Sequence, residues 1–317
     1  MNHSRNPHAG RRIPLTGILA AAALLMAGCG GGGGGGTGGA AERPAPPYRP
    51  LDAARLIAVT GSTAPAETAA AQGARASGIL GRADLIVGST VFVRTGSPLI
   101  PDFNAEPTSC SGSSCSVSLS DFGSYEIDLG DITASTADVD AVLTRNGITT
   151  LYHGDGGEGE YDTRLYGAWM RHGAFVVGTL KGEPSGISVT GSAGLSGGDR
   201  TGTGPSGDAT WRGIMVGAPQ GGEDILQGDA ELVYTMGDGG GTLDASFTGI
   251  VNLDRGTGHS VAEVSFEDVP VDRSGAYADG DRGNRIEGAF LGPDHAETAG
   301  VFERSGIVGA FGGVREE

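Results

Sequence analysis

The clearest pattern in the chain is an alternation of apolar and polar residues in its C-terminal third. In residues 241–254, GTLDASFTGIVNLD, every second residue from Leu243 to Leu253 is apolar or glycine, and five of the six residues that alternate with them are polar. In residues 259–272, Ala262, Val264 and Phe266 alternate with polar residues in the same way. A period of two residues predicts β-strands with one buried face.

Seven segments of this kind lie between residue 209 and the C-terminus, separated by turn residues. They are ATWRGIMVG, LQGDAELVYTMG, GTLDASFTGIVNLD, HSVAEVSFEDVPVD, RIEGAFLG, ETAGVFER and GIVGAFGGV, with room for an eighth near GAYADG. Short strands at this spacing predict an antiparallel sheet that closes into an eight-stranded barrel. We expect the glycines to mark bends in the strands and the phenylalanines to fill the interior.

The polar residues of these strands argue against a barrel that spans a membrane. Asp and Glu stand in the middles of the strands, where contact with lipid would be unfavourable, and aromatic residues make up only 6% of the chain. We therefore expect a soluble barrel.

The preceding region, residues 79–200, predicts a second β-rich unit. LIVGSTVFVRTG at 85–96 and SVSLSDFGSYEIDLGD at 116–131 are typical of strands separated by turns. One helix is predicted in ASTADVDAVLTRNG at 134–147. Thr136 would cap it, Val139, Val142 and Leu143 would share one face, and Asn146-Gly147 would end it.

The N-terminus has the features of a bacterial lipoprotein. Residues 1–28 combine three arginines, a ten-residue apolar run and small residues before Cys29, which predicts a signal peptide. LMAGC ends at Cys29 as a lipobox would, so Cys29 is the predicted lipidation site; the alternative is an ordinary signal peptide with a chance cysteine. Residues 29–78 begin with a run of seven glycines and a proline-rich stretch, which predicts a flexible tether. Within it, residues 51–78 are alanine-rich and are expected to be loosely helical or disordered.

The net charge limits the range of partners. The chain carries −17, and removing residues 1–28, with three arginines and no acidic residue, would bring it to −20. So acidic a protein is not expected to bind nucleic acid or an anionic membrane surface. The charge is consistent with a well-solvated surface or with a basic partner.

Two cysteines remain after Cys29, and both lie in SCSGSSCS. Cys110 and Cys115 are expected to form a disulfide, because closely spaced cysteine pairs outside the cytoplasm usually do. Metal ligands at suitable spacing are missing around them, so no metal site is predicted.

Other motifs give weaker signals. Residues 202–207 and 154–159 match the glycine pattern of dinucleotide-binding loops, but chance matches are expected in a chain with 60 glycines. The acidic stretches at 153–162 and 279–284 are either calcium-binding loops or plain turns.

A group of large apolar side chains is either an exposed anchor for a partner or packing between two domains: Tyr166, Trp169, Met170 and Phe175. His153, His172, His259 and His295 are far apart in sequence, so no catalytic residue, cofactor or enzymatic activity is predicted.

The C-terminal stretch resembles a family. IEGAFLGPDHAETAGVF, followed by IVGAFGG, is similar to the closing signature of the barrel domains in transferrin-binding protein B-like surface lipoproteins. The matching residues are Gly288, Phe290, Gly292, Pro293, Ala296, Glu297, Gly300, Phe302, Gly309, Phe311 and Gly312, whereas Leu291 stands where the family often has tyrosine. The resemblance covers residues 200–315. It implies an eight-stranded barrel preceded by a β-rich handle domain, in a protein that binds host transferrin, complement factor H or a haem-related ligand.

Together these observations predict a mainly β protein with four parts: a signal peptide at 1–28, a lipidated tether at 29–78, a handle-like domain at 79–200 and a barrel at 201–317. The expected function is that of a lipid-anchored outer-membrane or surface protein that captures a host protein or an iron or haem carrier. An outer-membrane receptor is a further expected partner. The alternative is a structural envelope lipoprotein that captures no ligand. Members of the family bind their partners through variable loops and the handle, so the resemblance transfers no ligand-binding residue. Transferrin-binding protein B has two handle-and-barrel lobes, whereas this chain has room for one, so the resemblance does not single out transferrin as the ligand.

Overall fold

The computed structural model describes residues 51–63, 71–72, 74–75, 91–95, 103–111, 114–118, 124–128, 139–155, 161–182, 189–237 and 240–317. The signal peptide, Cys29 and the glycine run lie outside these residues. In the described part, the chain is mainly β-structure; the helix α1 has eight residues, and residues 71–72 and 74–75 are also helical. The predicted fold class, mainly β with an eight-stranded antiparallel barrel, is confirmed.

The elements follow one another from α1 (Ala53–Thr60) through eighteen strands. The strands are β1 (Val91–Thr95), β2 (Phe103–Ser111), β3 (Ser114–Ser118), β4 (Ser124–Asp128), β5 (Val139–Arg145), β6 (Ile148–Asp155), β7 (Tyr161–Trp169), β8 (Gly173–Gly182), β9 (Val189–Gly198), β10 (Ala209–Pro219), β11 (Leu226–Gly237), β12 (Gly240–Asn252), β13 (Thr257–Gly258), β14 (Glu263–Val271), β15 (Ala276–Asp281), β16 (Asn284–Leu291), β17 (Glu297–Arg304) and β18 (Ile307–Arg315).

These strands form two sheets. The first sheet has the order β4-β3-β2-β1-β9-β8-β7-β6-β5, and it is open. The second is closed, because β10 pairs with both β11 and β18 while every other long strand pairs with its neighbours in sequence. β15 fills the eighth strand position anticipated near GAYADG. The two-residue β13 pairs only with β12 and adds no strand to the closed ring.

Aromatic side chains fill the barrel. The ring of Phe247 lies 4.6 Å from that of Phe302 and 5.0 Å from that of Phe311, centroid to centroid. Phe290 stacks on Trp211 at 4.6 Å. All five are buried in one apolar cluster, so the interior is a packed core as the phenylalanines predicted.

The first sheet packs against the outside of this barrel. Side chains that point outward from β16, β17 and β18 share a second apolar cluster with side chains of β7 and β8: Leu291, Ala299, Val301, Ala310, Tyr166, Met170, Phe175 and Val177. The strands β17 and β18 are therefore buried on both faces, which explains their high content of small residues.

The glycines of the C-terminal stretch make room for neighbours instead of bending the strands. A Cβ on Gly309 would lie 2.5 Å from both Phe302 Cε1 and the carbonyl oxygen of Val216. A Cβ on Gly300 or Gly312 would overlap a phenylalanine ring. None of these three has a left-handed backbone, so the expectation that they mark bends is replaced by one of close packing.

The predicted helix at 134–147 is wrong. Residues 139–145 form β5, which pairs antiparallel with β6. Asn146 and Gly147 have φ of 49° and 76°, the backbone of a two-residue hairpin turn and not of a helix end. A register shift between Ala141 and Leu143 buries the neighbours Val142 and Leu143 together, and this bulge imitates helical spacing. Residues 134–138, including the expected cap Thr136, lie outside the described part.

The helix α1 lies inside the range predicted as tether. The Asp52 carboxylate caps it by accepting the backbone N–H of Arg55, and Gly61 ends it with φ of 67°. Leu56 is buried against the second apolar cluster. Further along, the Gln72 amide bonds to the carbonyl of Thr149 and to the N–H of Trp169. Among the described residues, no helix has the length and apolar character required to cross a membrane.

Candidate functional site

The described residues do not test the predicted modification sites. Cys29 lies outside the described residues. Cys110 and Cys115 are direct partners across the β2–β3 hairpin, and the strands' backbones bring the two positions opposite each other. The disulfide remains a prediction, and mass spectrometry of unreduced peptides would check it.

The group of large apolar side chains that the sequence analysis left open belongs to the core. Tyr166, Trp169, Met170 and Phe175 are all buried, and three of them pack between the first sheet and the barrel. Their burial excludes an exposed anchor and agrees with the other interpretation, in that three of the four side chains pack between the two sheets.

The remaining candidates do not come together as a reactive site. His153 lies on β6, His172 in the β7–β8 turn, His259 after β13 and His295 after β16, so the fold keeps the four imidazoles on separate elements. The stretch at 279–284 is the β15–β16 hairpin. Within the described ranges no group of three or more His, Cys, Asp or Glu side chains is placed to hold a metal ion. The loop at 202–207 connects the two sheets, and part of the stretch at 154–159 is outside the described residues.

Charged side chains that the sequence analysis did not single out join the two sheets. The Arg164 guanidinium on β7 is only 2% exposed and pairs with Asp254 of the barrel, with Nη2 2.6 Å from Oδ1. Its Nε donates to the Tyr152 hydroxyl at 3.0 Å, and Nη1 donates to the Glu223 carbonyl at 2.9 Å. Burial is the largest single influence and lowers the pKa of Arg164, but the hydrogen bonds and charge interactions with Asp254 and Tyr152 together outweigh it, so the net pKa is raised. This buried charge is fully paired, so it ties β7 to the barrel.

A hydroxyl chain crosses the junction beside it. The Tyr166 hydroxyl donates to Gln227 Oε1 at 2.5 Å and lies 2.9 Å from the Thr150 hydroxyl. Burial raises the pKa of Tyr166, so the phenol stays neutral.

Glu297, a residue of the family-like signature, makes a third connection. Its two carboxylate oxygens accept the backbone N–H groups of Arg171 at 2.9 Å and His172 at 2.7 Å, which belong to the β7–β8 turn. Desolvation raises the pKa of Glu297, and the two backbone donors oppose that rise. The signature glutamate thus holds the turn of the first sheet on the barrel wall.

Arg145 forms the fourth connection, at the end of β5. Its Nη2 lies 2.5 Å from Asp229 Oδ2 on β11, and its Nε pairs with Asp229 Oδ1. Its Nη1 donates to the carbonyl of Thr60, the last residue of α1. Asn146 adds a bond from Nδ2 to the Gly213 carbonyl at 2.8 Å. One guanidinium therefore holds α1, the β5–β6 hairpin and the barrel together.

An open cleft of about 400 Å³ lies at this point. Its walls are the end of α1, the end of β5 and the barrel strands β11 to β13: Val59, Thr60, Arg145, Gln227, Gly228, Asp229, Gly249, Ile250, Val251, Gly258, His259 and Ala262. The Arg145 and Asp229 side chains are 30% and 32% exposed. The cleft offers a cation, an anion, an imidazole and apolar side chains within one concave surface, which suits recognition of a polar group on a partner.

Gly258 lines the cleft and is exposed. A Cβ on Gly258 would meet no atom within 4 Å, and Gly258 does not have a left-handed backbone. A side chain can therefore be introduced at the lining of the cleft without straining the fold.

The similarity of this chain to known proteins is confined to solved structures of low sequence identity. No family model and no curated protein matches the chain. It is similar to solved structures of transferrin binding protein B. That of serogroup B Neisseria meningitidis is 13% identical, with 70% of this chain and 53% of that one covered and a TM-score of 0.31. An intact protein with N and C lobes is 14% identical, with 68% and 55% covered and a TM-score of 0.26. A double mutant from Haemophilus parasuis Hp5 is 12% identical, with 68% and 54% covered and a TM-score of 0.26.

The chain thus spans about half the length of these proteins. Identities and TM-scores this low carry no argument about family or partner. The family resemblance of the C-terminal motif stays an expectation.

Proposed function

We propose that this chain is a lipid-anchored binding protein of the bacterial outer-membrane surface, and that a protein partner contacts the cleft between α1, β5 and the barrel. The main support is the cleft itself: the barrel interior is filled with aromatic rings, so a ligand has to bind on the outside. The four connections between the sheets give the cleft a rigid base, which lowers the entropy that binding would lose.

The finer parts of the proposal rest on the sequence. Cys29 carries the lipid, residues 30–50 form the tether, residues 79–200 act as the handle domain and 201–317 as the barrel domain. The partner is a host protein or an iron or haem carrier, and an outer-membrane receptor takes over the cargo. The family-like signature supports these assignments, because its residues build the barrel wall on which the first sheet sits. A structural envelope lipoprotein is the second candidate, favoured by the acidic, well-solvated surface.

A capture experiment tests the proposal. The soluble chain beginning at residue 30 is immobilised and exposed to purified human transferrin, a haem carrier such as haemopexin, and whole serum, and the bound proteins are identified by mass spectrometry. We expect one defined serum protein to be retained, and Gly258→Trp to reduce its retention at least tenfold, because the indole would occupy the cleft.

Gly207→Trp is the matched control. A Cβ on Gly207 would also have no atom within 4 Å, and Gly207 has no left-handed backbone, but it lies in the loop between the sheets, away from the cleft. Equal capture by the two variants would move the binding surface elsewhere. No specific capture by the parent chain would favour the structural lipoprotein.

The anchor has its own prediction. Cys29→Ala removes the only predicted acyl attachment, and several acyl chains hold a protein far more firmly than one. We expect the variant to leave the membrane fraction, as followed by fractionation and immunoblotting. Cys110→Ala serves as the control and should stay membrane-bound. Retention of a cleaved Cys29→Ala chain in the membrane would contradict the lipoprotein assignment.

A further inference from the structure

The helix α1 contributes a wall to the cleft and packs on the second apolar cluster through Leu56, with Ala53 and Ile57 half-buried beside it. Val59 and Thr60 at its end line the cleft, whereas Leu56 is its one fully buried side chain. An isolated helix of eight residues is unstable in water, so α1 remains helical only while it is docked. The two sheets are joined independently of α1 by Arg164, Tyr166 and Glu297.

Both ends of α1 are held by arginines at the rim of the cleft. Near its start, Arg55 Nη2 donates to the carbonyl of Arg255, just before β13. At its end, Arg145 Nη1 donates to the Thr60 carbonyl, where a cation also interacts favourably with the helix dipole. Gly61 then ends the helix with a left-handed backbone, and a Cβ there would lie 3.3 Å from Arg145 Nη1. Two residues later, Thr63 forms an antiparallel backbone bridge with Thr144 of β5.

We infer that α1 is a clasp at one wall of the cleft, held shut by Arg145 together with the Thr63–Thr144 bridge and the packing of Leu56, and that its release widens the cleft while the two sheets stay joined. Among these fastenings, Arg145 is the one that lines the cleft, and the same guanidinium binds the helix end and Asp229. A partner that draws Arg145 or Asp229 into its own contacts weakens the grip on α1. Only this last step rests on the proposed function.

The clasp can be tested without a partner. The reporter is Gly258→Cys in a chain whose own three cysteines are replaced by serine, since Gly258 lines the cleft and has room for a side chain. Its labelling rate is measured with a small maleimide and with a polyethylene-glycol maleimide. Leu56→Ala removes the buried contact of α1 and is expected to raise the rate for the large reagent about tenfold or more, with a smaller change for the small reagent.

Two further variants keep the test decisive. Arg145→Lys retains the charge but loses the fork that binds Thr60 and Asp229 together, so it should also accelerate labelling, by less than Leu56→Ala does because the Thr63–Thr144 bridge remains. The same changes combined with Gly207→Cys should leave labelling unaffected, because Gly207 lies outside the cleft. Thermal unfolding of each variant shows whether the sheets remain folded. If folded Leu56→Ala and Arg145→Lys chains label Gly258→Cys at the parent rate, the clasp is refuted, whatever the capture experiment shows.

Discussion

The barrel and the first sheet bury their strands in different ways. In the barrel, β12 and β14 turn one face to the aromatic core and the other outward: Val264 and Phe266 of β14 are buried, whereas Glu263 and Glu267 are exposed and Ser265 is half-buried. In the first sheet, residues 173–179 of β8 and 191–198 of β9 are buried without interruption. Successive side chains of a strand point to opposite faces, so these strands are covered on both sides. The barrel has a core of its own, while the first sheet depends on what packs against it.

The largest expected effect lies in the barrel core. Phe302→Ala removes a ring that lies against Phe247, and it leaves a cavity inside a closed wall. We expect the free energy of unfolding to fall by about 3–5 kcal/mol, a large part of the roughly 5–15 kcal/mol typical of a domain. Urea unfolding followed by tryptophan fluorescence measures it.

Val314→Ala is the control for this prediction, because Val314 is 40% exposed on the neighbouring strand β18. Its change should stay within about 0.5 kcal/mol. Unchanged unfolding of Phe302→Ala together with lost capture of a partner would instead make the C-terminal stretch a binding surface.

A medium effect is expected where the two sheets touch. A Cβ on Gly194 of β9 would overlap the carbonyl group of Gly309 on β18. Gly194→Ala therefore pushes the first sheet off the barrel, and overpacking of this kind costs about 1–3 kcal/mol. In hydrogen-exchange measurements, the backbone amides of β7 to β9 should lose more protection than those of β12 to β15, because only β7 to β9 depend on this contact.

Gly207→Ala is the matched control, since a Cβ at Gly207 would have no neighbour within 4 Å. Equal loss of protection in both sheets of Gly194→Ala would mean that the barrel depends on the first sheet as much as the reverse.

The contrast between the barrel and the first sheet also explains which strands could be predicted from the sequence. Alternation identified the barrel strands because one face is polar, and it held in β12 up to Phe247. Beyond that, Gly249 adopts φ of 61° in a bulge, and Ile250 is buried where the alternation predicts an exposed residue. The apolar Ile250 among polar residues was the available signal. In β5, a similar bulge places the apolar residues at a spacing that resembles that of a helix, and the sequence analysis therefore predicted one. Asn146-Gly147 between apolar runs is nevertheless a strong signal for a hairpin.

The candidate site was not predictable from spacing. Arg145 and Asp229 are 84 positions apart, and Arg164 and Asp254 are 90 apart. Their pairing depends on how the first sheet docks on the barrel, which no local pattern encodes. The signature residue Glu297 was recognised by resemblance, but its role in holding the β7–β8 turn appears only in the structure.

The smallest effects distinguish two turns with similar backbones. Ser305-Gly306 joins β17 to β18 with φ of 54° and 73°, close to the values of Asn146-Gly147 in the first sheet. Asn tolerates this left-handed conformation better than Ser, so Ser305→Asn should stabilise the exposed barrel turn by about 0.5 kcal/mol. Asn146→Ser should cost more, about 1 kcal/mol, because the Asn146 amide also donates to the Gly213 carbonyl across the junction. Calorimetric melting of both variants checks the signs. Equal and opposite shifts would show that only the turn backbone matters, whereas a larger loss at Asn146 would show that this turn also fastens the first sheet to the barrel.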